Sequence, residues 1–182
     1  MKAVILLATA AIALPFLISG VASGHRAVED RFLERAFLKP PTIPTNDARR
    51  SEPVDADKLR AWVTGNPDAA KTYAWSVMPL DFLYLAVLGG FLALAANMLA
   101  AGIAWPPALA KLPPWIWFVF PAIYVFADFV EDCLIVMMMS RPASISGGTF
   151  DMLTVFRNTK ILTSILAMMQ IFVLGLAAAI WK

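Results

Sequence analysis

WIWFVFPAIYVFADFVEDCLIVMMM, residues 115–139, decides how this chain is read. As a helix its 25 residues extend about 37 Å, enough to cross a hydrocarbon core of about 30 Å. Yet it carries Asp128, Glu131 and Asp132. Residues three and four apart share a helix face. Asp128, Glu131 and Asp132 therefore form one polar patch, with Tyr124 one turn before it. Insertion scales put an acid at the centre of a membrane helix at about 2.5–3.5 kcal/mol. Such a group is expected to face other helices, be protonated or be paired.

Working outward, the rest of the chain has the same apolar character. It is 60% hydrophobic and 15% charged, where soluble domains carry about 25% charged residues. Three more apolar runs stand at about 3–22, 80–104 and 158–181, the last opening at Arg157, Lys160, Thr163 and Ser164. In lipid the backbone must satisfy its own hydrogen bonds, so helices are expected. The predicted fold is all-α, an integral membrane four-helix bundle with a polar loop of about fifty residues, 23–72, between helices one and two.

Asp81 and Tyr84 enter the second span from the side on which Arg157 and Lys160 open the fourth. Three spans thus bring their ionisable residues to one level, while the other halves carry little that is polar beyond Asn97 and Gln170. The expected binding or ionic cluster is Asp81, Tyr84, Tyr124, Asp128, Glu131, Asp132, Arg157 and Lys160. Pairing that only fixes helix register is the plainer alternative.

The connections carry their own signals. WPPALAKLPPW, 105–115, is a short turn stiffened by four prolines. SRPASISGGTFD, 140–151, turns at Gly147 and Gly148, with Thr149 as candidate N-cap. In the long loop VEDRFLERAFL suggests a short amphipathic helix, and KPPTIPTNDARRSEP irregular chain. VDADKLRAWVTG reads as a helix capped by Asp55, with Leu59, Trp62 and Val63 on one side. Asn66 then caps a helix with Pro67 at its first position, leading into the second span. Trp105, Trp115, Trp117 and Trp181 lie near span ends, where the headgroup region favours them. Gly89, Gly90 and Gly175, with nearby alanines, offer faces for close helix packing.

Several function classes are disfavoured. A net charge of +2 with no basic stripe gives no footprint for nucleic acid. One histidine, His25, and one cysteine, Cys133, cannot supply two axial haem ligands or a histidine-based zinc site. Met137, Met138 and Met139 point in different directions on a helix, so no soft-metal site is expected. No cofactor or resident metal is predicted, although carboxylates alone leave Mg²⁺ open. The spacing of the acids lacks the motif of carboxylate-metal phosphatidyl transferases, and an enzyme is the less favoured reading.

Residues 1–24 read as an uncleaved span, with a signal peptide cut near Val21-Ala22-Ser23 as the alternative. Four spans place both termini on one side with Lys2, Lys111 and Lys182. The remaining twelve basic residues lie on the other, which argues for the long loop inside. The signal-like start argues for the loop outside, and that orientation is expected.

LRAWVTGNPDAAKTYAWSVMPLDFLYLAVLGGF, PAIYVFADFVEDCLI and RNTKILTSIL together resemble a group of small bacterial integral membrane proteins. The matching residues are Gly65, Tyr73, Asp81, Asp128, Glu131 and Lys160, within residues 58–170. Asp132 stands where the group carries Asn, which adds a carboxyl group. The resemblance implies four spans, a shared polar cluster and a bacterial inner membrane, and it implies no activity. The expected partners are membrane lipids, and a second copy or another membrane protein. The expected role is to bind or relay a proton, a cation or a lipid headgroup, the alternative being a structural or assembly subunit.

Overall fold

A computed structural model describes residues 2–21 and 55–181. The expected helix VEDRFLERAFL, the proline-rich stretch after it, and His25 lie outside the described residues. The described elements are all helical. Helix α1 is Lys2–Val21, α2 is Ala56–Gly65, α3 is Pro67–Thr72, α4 is Met78–Ala101, α5 is Val119–Ser140 and α6 is Gly147–Ile180. The chain divides into two compact units, Met1–Pro15, Phe82–Glu131 and Phe156–Lys182 in the first, Phe16–Asp81 and Asp132–Val155 in the second.

Among the described residues, two helices are long and apolar enough to cross a membrane, Pro67–Ala101 and Gly147–Ile180. In α1 the apolar stretch Lys2–Ile18 is shorter, and α5 is interrupted by its three acids. Helices stand at all four expected places, with edges moved for local reasons. The first turn of the expected third span, Pro114–Phe118, is a 3-10 turn. Its Ile116 N–H reaches the Pro113 carbonyl at 3.1 Å.

Helix α6 begins well before residue 158 because it is capped upstream. Ser146 Oγ accepts from the Thr149 N–H at 3.2 Å, and Thr149 Oγ1 accepts from the Ser146 N–H at 2.8 Å. This is a reciprocal capping pair. The N-cap is therefore Ser146, and Thr149 is its third-position partner rather than the cap.

In the second unit Asp55 caps α2 as expected, accepting the Lys58 N–H at 2.8 Å. Leu59 and Val63, one turn apart, are buried, while Trp62 is half-buried. Arg60 ties α2 to the turn after α5. Its Nε donates to the Ile145 carbonyl at 3.0 Å, and Nη2 reaches the same oxygen. Pro67 takes the first position of α3, but the Asn66 side chain does not cap it. Its amide instead donates back to the Trp62 carbonyl at 2.9 Å.

Helix α3 runs on through a π-turn, Tyr73–Val77, into α4. The Met78 N–H returns to the Tyr73 carbonyl, five residues back. Pro79 supplies the reason. It has no N–H, and its ring would crowd the carbonyl four residues earlier, that of Trp75. A widened turn relieves that crowding. It carries Tyr73, Ala74 and Val77 inward.

The first unit is packed around Leu85, Leu88, Leu92, Tyr124 and Ala167, with Ala11 of α1 and Tyr84 of α4 against them. Gly89 permits a close approach. A Cβ built there would overlap Val125 Cγ2, whereas one on Gly175 would meet nothing within 4 Å. Gly89→Ala is therefore expected to destabilise the fold by about 1–3 kcal/mol through overpacking. Gly175→Ala should raise stability by up to about 1 kcal/mol through helix propensity. Thermal unfolding in detergent reads the difference in sign, and adding Val125→Ala should relieve the first variant.

At the far end of this unit the turn after α4 docks on the end of α6. The Ala104 N–H donates to the Trp181 carbonyl at 3.0 Å. Trp105 stacks on Trp117 at 5.3 Å and lies 6.4 Å from Trp181.

Candidate functional site: a buried ionic cluster

Helices α5 and α6 run antiparallel in the first unit, and two polar rungs join them. One is neutral: the Gln170 amide donates to the Trp117 carbonyl at 2.9 Å. The other is ionic. Lys160 Nζ lies 2.5 Å from Asp128 Oδ1 and 3.1 Å from Glu131 Oε2. Arg157 Nε donates to Glu131 Oε1 at 2.8 Å. From Gln170 to Lys160 is ten steps on α6, and from Trp117 to Asp128 eleven on α5, or about 15 and 16 Å. The near-equal spacing keeps both rungs in register.

Burial is uneven within the cluster. The side chains of Asp128 and Glu131 are 3% and 1% exposed, those of Lys160 and Arg157 27% and 14%. The long basic side chains reach inward from the edge, and the short acids sit inside. The three-residue step from Asp128 to Glu131 and from Arg157 to Lys160 makes this possible, since each pair then occupies one face of its helix. Glu131 contacts two bases, one on each oxygen, and Asp128 contacts one. Two acids and two bases leave the set neutral when all are ionised. Removing each charge from water costs several kcal/mol, which close, multiple partners offset.

No protein-family model, curated protein or solved structure matches the chain. The arrangement is therefore argued from its own geometry.

Of the eight residues expected to converge, the structure brings Asp128, Glu131, Arg157 and Lys160 into contact. Tyr124 is buried in the apolar packing of the same unit, and Tyr84 is half-buried against it. Asp81 and Asp132 belong to the second unit, where Asp132 is 1% exposed and Asp81 half-buried. Thr163 and Ser164 donate to carbonyls of their own helix, at Thr159 (2.7 Å) and Ile161 (2.8 Å). Among the described residues no group of three histidine, cysteine or acidic side chains is placed to hold a metal ion.

The neutral rung is not legible in the sequence. Gln170 stands out there as a lone amide within an apolar run, but its partner is a main-chain carbonyl, which leaves no trace in side-chain spacing.

Proposed function

We propose that this is a multi-pass integral membrane protein, a bundle of the four helices α1, α4, α5 and α6. We further propose that its Asp128/Glu131–Arg157/Lys160 cluster binds or relays a small polar species. The observation that carries the reading is an inverted polarity. The acids are buried, while Leu162, Ile165, Met169, Phe172, Val173 and Leu176 form an exposed apolar stripe along α6. The opposite face of that helix buries Thr163, Ala167 and Leu174. In water a continuous apolar stripe of this kind marks an interaction surface; in lipid it is the solvated face.

Length supports the same placement. From Lys160 to Trp181 is 21 steps, about 31 Å, against a hydrocarbon core of about 30 Å. Trp181 and Trp105 then stand at one boundary, as amphipathic rings favour. Lys160 and Arg157 stand near the other, where long basic side chains can reach the interface. The resemblance to small bacterial membrane proteins supports an inner-membrane location.

Intramembrane ionisable groups are functional sites by default, because insertion disfavours them and other side chains could pack there. The test is thermal unfolding of the purified chain in detergent, against pH, divalent cations and anionic lipids. A rise in unfolding temperature with one of these, lost in Asp128→Asn, is expected. No response to any of them contradicts the reading.

A second reading is favoured by the two evenly spaced rungs: the cluster only fixes the register of α5 and α6 inside an assembly subunit. The paired replacement Asp128→Leu with Lys160→Met separates the two. Well-packed apolar replacements of buried ion pairs are often neutral or stabilising. A structural cluster predicts a folded protein that still supports its host. A functional one predicts a folded protein without the ligand response.

A further inference from the structure

We infer that the species handled by this cluster is a proton, and that the Asp128–Lys160 pair exchanges it while Glu131 and Arg157 hold the pair in place. This rests on the reading of the cluster as a site. Its donor set narrows the choice. Mg²⁺ takes a near-octahedral oxygen shell and Ca²⁺ six to eight oxygens. The cluster offers two carboxylates, each already in contact with a base. An anion would have to displace Asp128 or Glu131 from partners inside the unit. A proton needs only an acceptor oxygen and a way in.

The geometry separates the members of the cluster. Protonating Glu131 would weaken contacts to two bases, and protonating Asp128 a contact to one. Arg157 cannot serve as the entry, because a guanidinium does not release its proton in proteins. Lys160 can. Its side chain is the most exposed of the four, at 27%, and its Nζ lies 2.5 Å from Asp128 Oδ1.

The step balances. An ammonium N–H bond of Lys160 breaks, the electron pair stays on nitrogen, and an O–H bond forms on Asp128. The pair is neutral before and after. A hydronium ion on the exposed side then gives a proton to the Lys160 amine and leaves as water, restoring the ammonium, so the cluster has gained one proton, held on Asp128. Release runs the same steps backwards. The other titratable groups on the packed helices are Arg157 on α6, Glu131 and Tyr124 on α5, and Tyr84 on α4. Asp81 and Asp132 lie on α4 and α5 within the second unit.

The experiment is infrared difference spectroscopy of the full chain in lipid nanodiscs, titrated from alkaline to acid buffer. The signal is the carbonyl stretch of a protonated carboxyl group. A buried acid-induced band is expected in the wild type, lost in Asp128→Asn and kept in Asp81→Asn and Asp132→Asn. Circular dichroism checks that each variant is folded. Should Asp128→Asn not fold, Asp128→Glu decides, because the band must then move to the frequency of a glutamic acid. A band unchanged by substitution at Asp128 overturns the assignment. So does its absence from the wild type. In that case stabilisation by a cation or an anionic lipid leaves the broader reading standing, and no stabilisation removes both.

Discussion

Lys160→Met is expected to lower the unfolding free energy by about 3–5 kcal/mol, the range for removing one partner of a buried ion pair. The substitution keeps the length and apolar stem of the side chain, so packing changes little. It removes the ammonium from between two carboxylates, at 2.5 and 3.1 Å, and leaves Asp128 without its base. Lys71→Met, on the exposed face of α3, is the control and should stay within about 0.5 kcal/mol. Reversible unfolding in bicelles measures both. Adding Asp128→Asn to Lys160→Met should recover part of the loss, because the uncompensated charge is then gone.

The second large effect concerns the outside of the molecule. Phe172 is 67% exposed and lies nine steps, about 13 Å, from Trp181, close to the middle of the proposed span. Phe172→Lys should therefore oppose insertion by about 2.5–3.5 kcal/mol. In a water-soluble protein the same exchange at so exposed a position would be worth about 0.5 kcal/mol or less. The fraction of protein that resists alkaline extraction from membranes separates these outcomes. A fall is expected for Phe172→Lys, and no change for Phe172→Leu.

Much of this architecture is legible in the residues, for identifiable reasons. Long apolar runs at helical length locate α1, α4, α5 and α6 because such runs are encoded by composition alone. The i, i+3 spacing of Asp128 with Glu131, and of Arg157 with Lys160, makes each pair one face, and the contact between the two faces follows. The grouping of Asp132 with them is less determined. Successive residues on a helix diverge by about 100°, so Asp132 points well away from Glu131 although both are near Asp128. Asp132 is itself 1% exposed and falls in the second unit.

The helix edges depend on single contacts. The start of α6 at Gly147 follows from one pair of hydroxyls, Ser146 and Thr149. Gly147 and Gly148, read as a turn, instead occupy the first helical positions. The π-turn before α4 hangs on the missing N–H of Pro79, a backbone effect that hydrophobic patterning does not register. Asn66 is a cap former by residue type, yet its amide is drawn to the Trp62 carbonyl at the end of the preceding helix.

The most direct test is a double-mutant cycle across the ionic rung. Asp128→Asn, Lys160→Met and the combination are compared with the wild type by reversible unfolding in bicelles. A coupling of about 1–3 kcal/mol is predicted, as for directly contacting charged residues. Strictly additive effects of the two substitutions would contradict the pairing of Asp128 with Lys160, and with it the cluster as described.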